Sequence, residues 1–67
     1  MIRYREFVKH LTKNDCWLIR QGSNHEIWGH TFDGVQKQSS VPRHPNLVKH
    51  TCWAICKQLG IPKFPEH

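Results

Sequence analysis

Apolar residues Tyr4, Phe7, Val8 and Leu11 recur at spacings of three, one and three. That places them on one helical face and predicts a helix over residues 3–13, closed by Asn14 and Asp15. The run that starts at Cys16 is too short for another helix and predicts a strand over residues 16–21. Gly22, Ser23 and Asn24 follow it with turn chemistry, since Gly and Asn tolerate positive φ. A hairpin is therefore expected, its return strand covering residues 25–30 with Ile27 and Trp28 as the bulky positions. The Asp33-Gly34 pair predicts a second turn, and residues 35–41 a third, mostly polar strand that ends at Val41. Pro42 and Pro45 then bracket Arg43 and His44 in a rigid connector, because neither proline suits a central strand or a helix interior. Beyond it Val48, Cys52, Ile55 and Leu59, with Thr51 and Cys56 beside them, mark a second amphipathic helix that Gly60 and Pro62 terminate. Its start is open by a turn, since Asn46 suits either a cap or the loop. Residues 63–67 read as a loose end.

The order is helix, three strands, helix: an α+β fold of one domain over residues 1–67, with a three-stranded antiparallel sheet. Neither helix can bury its apolar stripe alone, so both are expected on one sheet face, leaving the other to meet a partner. A chain of 67 residues has a thin core, since domains of this size bury only about 60% of their unfolded surface. Its 37% hydrophobic and 22% charged content is that of an ordinary globular domain. The longest uninterrupted apolar run, Cys16 to Ile19, is four residues, against the roughly 20 of a bilayer crossing. With no apolar stretch in MIRYREFVKH to serve as an export signal, a cytoplasmic location without membrane contact is expected. Three cysteines, Cys16, Cys52 and Cys56, are an odd number and predict free thiols suited to core packing. A zinc site from Cys52, Cys56 and His50, completed by Cys16 or His44, is the weaker reading, because structural zinc prefers tight Cys-x2-Cys knuckles.

Charge narrows the functional classes. Ten Lys and Arg against five Asp and Glu leave +5 on a small surface, which favours nucleic acid or an acidic protein as partner. The row Arg5, Lys9 and Lys13 on the first helix is either a solvated face or a phosphate-facing stripe. The carboxylates Glu6, Asp15, Glu26, Asp33 and Glu66 are scattered over different elements, unlike a two-metal nuclease site. Phosphate-cradling glycine motifs are missing as well. Imidazole, by contrast, can take and give a proton near neutral pH, and RNA carries its own nucleophile in the 2′-hydroxyl. His25, set directly after the turn and near the basic first helix, is the candidate catalytic group, with Arg43, His44, Lys37 and Lys49 as cationic helpers. His10 and His50 read as polar-face residues, His30 as a strand position that could face RNA, and His67 as a terminal residue without a role. Trp17 and Trp28 read as packing residues, and Trp53 as a partly exposed one.

The string GSNHEIW, the segment PRHP beginning seventeen residues after His25, and the ending AICKQLGI occur in an order that resembles the HicA (YcfA-like) toxins. EFVKHL and CWLIRQGSNH extend the likeness over nearly the whole chain. The resemblance implies a double-stranded-RNA-binding-domain-like fold of α-β-β-β-α order. It also implies a toxin of a type II toxin-antitoxin system: an mRNA interferase that cleaves mRNA without metal or other cofactor, neutralised by a HicB-type antitoxin. It aligns His25 with the family's catalytic histidine and Gly22, Ser23 and Asn24 with the turn that presents it. Arg5, Lys9, Lys13, Arg20, Lys37, Arg43, His44 and Lys49 are then expected to hold the RNA backbone. The chain departs from the family in a short loop after PRHP and in Trp53, which stands where a basic residue is common. The rival reading is a double-stranded-RNA-binding module of the same fold without catalysis; a third is a small protein whose basic face meets only an acidic partner.

Overall fold

The computed structural model describes residues 1–64, so His67 and the last three positions of the expected loose end lie outside the described residues. A two-residue strand β1 (Ile2–Arg3) leads into helix α1 (Tyr4–Lys13). Strands β2 (Trp17–Gln21), β3 (His25–Phe32) and β4 (Val35–Pro42) follow. A second two-residue strand, β5 (Asn46–Leu47), precedes helix α2 (Lys49–Leu59). The expected α-β-β-β-α order is present, with β2-β3-β4 as one antiparallel sheet and a small β1–β5 pair beside it.

The turns follow their side chains. Asp33 and Gly34, at φ 53° and 78°, both take the left-handed region that a two-residue hairpin demands, and Phe32 pairs with Val35 across them. Gly60, at φ 73°, ends α2 as expected, with its N–H on the Lys57 carbonyl and that of Ile61 on Cys56. Asp15, at φ 65°, ends α1 the same way, the Cys16 N–H reaching back to the Leu11 carbonyl. Asn46 does not cap α2. It pairs with Arg3 in the β1–β5 ladder, and Val48 takes the cap position without a side-chain hydrogen bond.

Alternation along β3 divides the sheet into two faces. Glu26, Trp28 and His30 turn toward the helices, opposite Val41, Ser39 and Lys37 of β4. The core on this side gathers Phe7 and Leu11 of α1, Cys52, Ile55, Cys56 and Leu59 of α2, and Cys16, Trp28, Val41, Leu47 and Ile61. All three thiols are free and buried. The principal extents of 32 × 30 × 17 Å fit one layer of helices on one sheet and leave the second face uncovered. There Trp17 pairs with Gly29 and Arg20 with Ile27, while Ile19 is the extra residue of a bulge. A Cβ on Gly29 would come within 2.7 Å of Ile19 Cδ1 and 3.1 Å of Trp17 Cε2, so the missing side chain is what lets both lie across the strand.

Two expectations need correction. Residues 63 and 64 do not form a loose end, since Phe64 packs on the core and its ring meets Phe7 at 6.2 Å and His10 at 5.4 Å. His10 accordingly leaves the polar face: its Nε2 donates to the Pro62 carbonyl at 2.8 Å and ties α1 to the chain after α2.

Candidate active site

The turn between β2 and β3 closes on itself, the Gly22 N–H donating to the His25 carbonyl at 2.8 Å. Positive φ is not what the turn takes from Gly22, because the positive-φ glycines are Gly34 and Gly60. It takes room: a Cβ there would stand 3.1 Å from the same His25 carbonyl oxygen. On the far side Pro42, the register partner of His25, has no N–H to give, and the next residue takes over, Arg43 N–H donating to the Asn24 carbonyl at 3.0 Å. Gly22, Ser23, Asn24 and His25 are thus clamped from two directions while remaining exposed. The His25 ring has no hydrogen-bond partner among the described residues. It leaves the strand on the uncovered sheet face, where Arg20 is its diagonal neighbour through Ile27.

Directly beneath lies a residue that sequence reasoning missed. Glu26 is 4% exposed. Its Oε1 accepts the Tyr4 hydroxyl and, at 3.0 Å, Trp28 Nε1–H. Its Oε2 faces Arg43 Nε at 3.8 Å. One buried carboxylate therefore joins the start of α1, the interior of β3 and the loop after β4. Burial, then the hydrogen bond to Glu26 and that carboxylate's charge, push the Tyr4 phenol up to about 12. Parity was the available signal, because Glu26 shares the inward side of the strand with Trp28.

The cationic residues divide by location. Arg5, Arg43 and His44 line a pocket of about 300 Å³ with Arg3, Tyr4 and Pro45. Lys9 and Lys13 continue along α1 beside a shallower groove that Phe64 helps to line. Lys49 opens α2, its Nζ 4.9 Å from the centre of the Trp53 ring. Lys63 approaches the same ring at 4.4 Å, so the half-buried Trp53 carries cations around it although it is not one. Lys37 is not brought to His25: it pairs with His30, five residues along the strand, or about 17 Å away. The expectation that His30 faces RNA is also corrected, because its Nδ1 donates to the Leu59 carbonyl at 2.6 Å and closes the end of α2.

The thiols have no place in this chemistry. Burial first, then the neighbouring thiol of Cys56, push Cys16 and Cys52 up to about 11, and burial raises Cys56 as well. Among the described residues no three His, Cys, Asp or Glu side chains gather as a metal ion would require. No helix among them is long and apolar enough to cross a membrane. The assembled features are an exposed imidazole on a clamped turn, a buried carboxylate beneath it and a cationic rim.

No curated protein and no solved structure matches the chain. A family profile, described as the HicA toxin of bacterial toxin-antitoxin systems, matches residues 4–61. That span runs from the first residue of α1 through the turn, the clamp and α2 to Ile61, so the chain belongs to the HicA toxin family, the toxin half of a toxin-antitoxin pair.

Proposed function

We propose that this toxin is an endoribonuclease that cuts mRNA at His25 without a metal ion. The carrying observation is the exposed imidazole held on the Gly22–Asn24 turn by backbone hydrogen bonds on both sides. In the reaction the 2′-hydroxyl loses its proton and its oxygen bonds to the adjacent phosphorus. The bond to the 5′-oxygen breaks, and that oxygen gains a proton. His25 moves one of these protons, as base or as acid, and the products end in a 2′,3′-cyclic phosphate, or a 3′-phosphate after hydrolysis, and a 5′-hydroxyl. A single positioned acid or base contributes roughly 10²- to 10⁴-fold. Cations near the phosphate carry the remainder: Arg20 lies on the face of His25, and Arg5, Arg43, His44, Lys9, Lys13 and Lys49 would hold the backbone beyond it. Glu26 is occupied by Tyr4, Trp28 and Arg43, which supports a site that works through imidazole rather than through a carboxylate-bound ion.

A HicB-type antitoxin in the cytoplasm completes the reading, covering the His25 side of the sheet, where Trp17 and Ile19 of the edge strand are both about two-fifths exposed. The test is incubation of the purified protein with labelled mRNA in excess EDTA. Fragments with cyclic or 3′-phosphate ends support the enzyme, and intact bound RNA supports the non-catalytic binding module instead.

A further inference from the structure

Sequence alone makes Trp17 a packing residue, yet it stands 41% exposed on the uncovered face of the sheet. Rows of paired residues cross that face. At the turn His25 faces Pro42; Arg20, Ile27 and Ser40 form the next row, and Trp17, Gly29 and Gln38 the one after. His25 and Gly29 are four residues apart on β3. That even separation points both to the same side, about 13 Å from each other. Gly29 shapes its row: a Cβ there would stand 3.1 Å from Trp17 Cε2, so the bare backbone lets the indole reach over the middle strand. Gln38, also exposed, borders the row on the far side, about 10 Å from Trp17 by two strand spacings.

The rows differ in chemistry. Near the turn stand an imidazole and the Arg20 guanidinium, whereas the Trp17 row holds an indole, a glycine and an amide, with no charge of either sign. Two lysines approach the Trp53 ring, but Trp17 meets no other ring and no cation among the described residues. A phosphate finds no counter-charge in this row. A nucleobase finds a flat ring to stack on and, at its edge, an amide that both donates and accepts. The base must be unpaired, since bases within a duplex are stacked on one another. Continuity with His25 commits the row to RNA, because a single strand running along the face from the imidazole passes over it.

We infer that Trp17 stacks one unpaired base of the RNA a few nucleotides from the cut, with Gln38 at that base's edge, and that this base sets where the strand is cut. Trp17 is thus a specificity-determining residue, not a catalytic one. The role in choosing the cut rests on the endoribonuclease reading, while the stacking itself requires only single-stranded RNA.

The test measures binding by the His25→Ala protein to a single-stranded RNA oligonucleotide, intact or lacking its base at each position in turn. Removing the stacked base should weaken binding roughly tenfold. Adding Trp17→Leu should weaken binding of the intact RNA by the same factor and abolish the penalty for the missing base, whereas Trp17→Phe, which keeps a ring, should retain most of both. The slope of log K against log salt should not change, since no phosphate contact is lost. With His25 restored, Trp17→Leu should spread the cuts over more positions and raise KM about tenfold at nearly constant kcat, and Gln38→Ala should change the base preferred. Melting curves equal to wild type establish that the variants are folded. Unchanged affinity and cut positions in Trp17→Leu, or a loss of affinity that comes with a lower salt slope, overturn the inference; cleavage by the wild-type protein in the same series then leaves the enzyme reading standing. If the wild-type protein leaves RNA intact while Trp17→Leu still abolishes the penalty for the missing base, the enzyme reading fails and the stacking site survives.

Discussion

His25 and His30 stand on one strand, five residues apart, and an odd separation on a strand sends their rings to opposite faces. At the first end β3 meets the turn, the imidazole is exposed, and the neighbouring loop supplies arginine. At the other end the ring lies under the sheet, donates to the last carbonyl of α2, and stands opposite Lys37, whose side chain approaches Gly60. The same side chain is the proposed reagent in one place and a helix cap in the other. Residue type separates neither; position relative to the buried Trp28 separates both.

The widest predicted gap between the two ends is in activity. His25→Ala should lower the rate of RNA cleavage by roughly 10²- to 10⁴-fold, with RNA affinity within about twofold and an unchanged melting curve. A variant that cuts RNA and arrests growth like the wild type would sink the proposed mechanism.

Next in size is Glu26→Ala, which tests whether the turn end is held from below. It strands the Tyr4 hydroxyl and Trp28 Nε1–H without an acceptor and leaves Arg43 without its carboxylate. A buried donor left unsatisfied costs about 1–3 kcal/mol, so a loss of about 3 kcal/mol in urea unfolding is expected. Glu26→Gln, which keeps an acceptor oxygen, should lose less. Equal and small losses in both would mean that the network contributes little.

Gly22→Ala probes the turn itself. The added methyl stands 3.1 Å from a backbone carbonyl that cannot swing away as a side chain would. The expected outcome is about tenfold slower cleavage, about 1.4 kcal/mol in the barrier, at nearly unchanged RNA affinity. Full activity would show that the imidazole tolerates a shifted turn. At the opposite end His30→Gln should cost about 1 kcal/mol of stability, the worth of one hydrogen bond, while cleavage stays within about twofold. Lost cleavage in a folded His30→Gln protein would overturn the division between the two rings.

Much of this arrangement was legible in the chain. Both helices carry periodic stripes, and Asp33-Gly34 and Gly60 mark a hairpin and a helix end because few other residues take those backbone angles without strain. The turn that presents His25 was legible for a different reason than the structure supplies, room beside a carbonyl rather than positive φ. β1 and β5 were not legible, since two residues carry no periodicity and their pairing spans most of the chain. Arg3 consequently went unnoticed as a pocket residue. Glu26 and His30 share an inward parity with Trp28, a signal present in the sequence but masked by their polarity. Phe64 was read as tail because nothing local indicates that Phe7 and His10 await it.

The smallest effect near neutrality comes from groups packed on the helix side of the sheet, and it separates the buried face from the exposed one by pH. Cys16 and Cys52 are pushed from an ordinary 9.0 to about 11, and Tyr4 from 10.0 to about 12, each chiefly by burial. The folded protein therefore keeps these protons over a range in which the unfolded chain has released them. Where the folded state binds more protons, stability falls as pH rises. Their contribution is complete below pH about 9, declines through pH 11 as the thiols' window is crossed, and declines further toward pH 12 with the phenol. Urea midpoints should thus decrease steadily above pH about 9. Cys52→Ala should flatten the lower part of that decline and Tyr4→Phe the upper part, each measured against its own value at pH 8. A midpoint that stays level from pH 8 to 11 would mean that the thiols meet water readily, and the core beneath β3 would then be looser than its packing indicates.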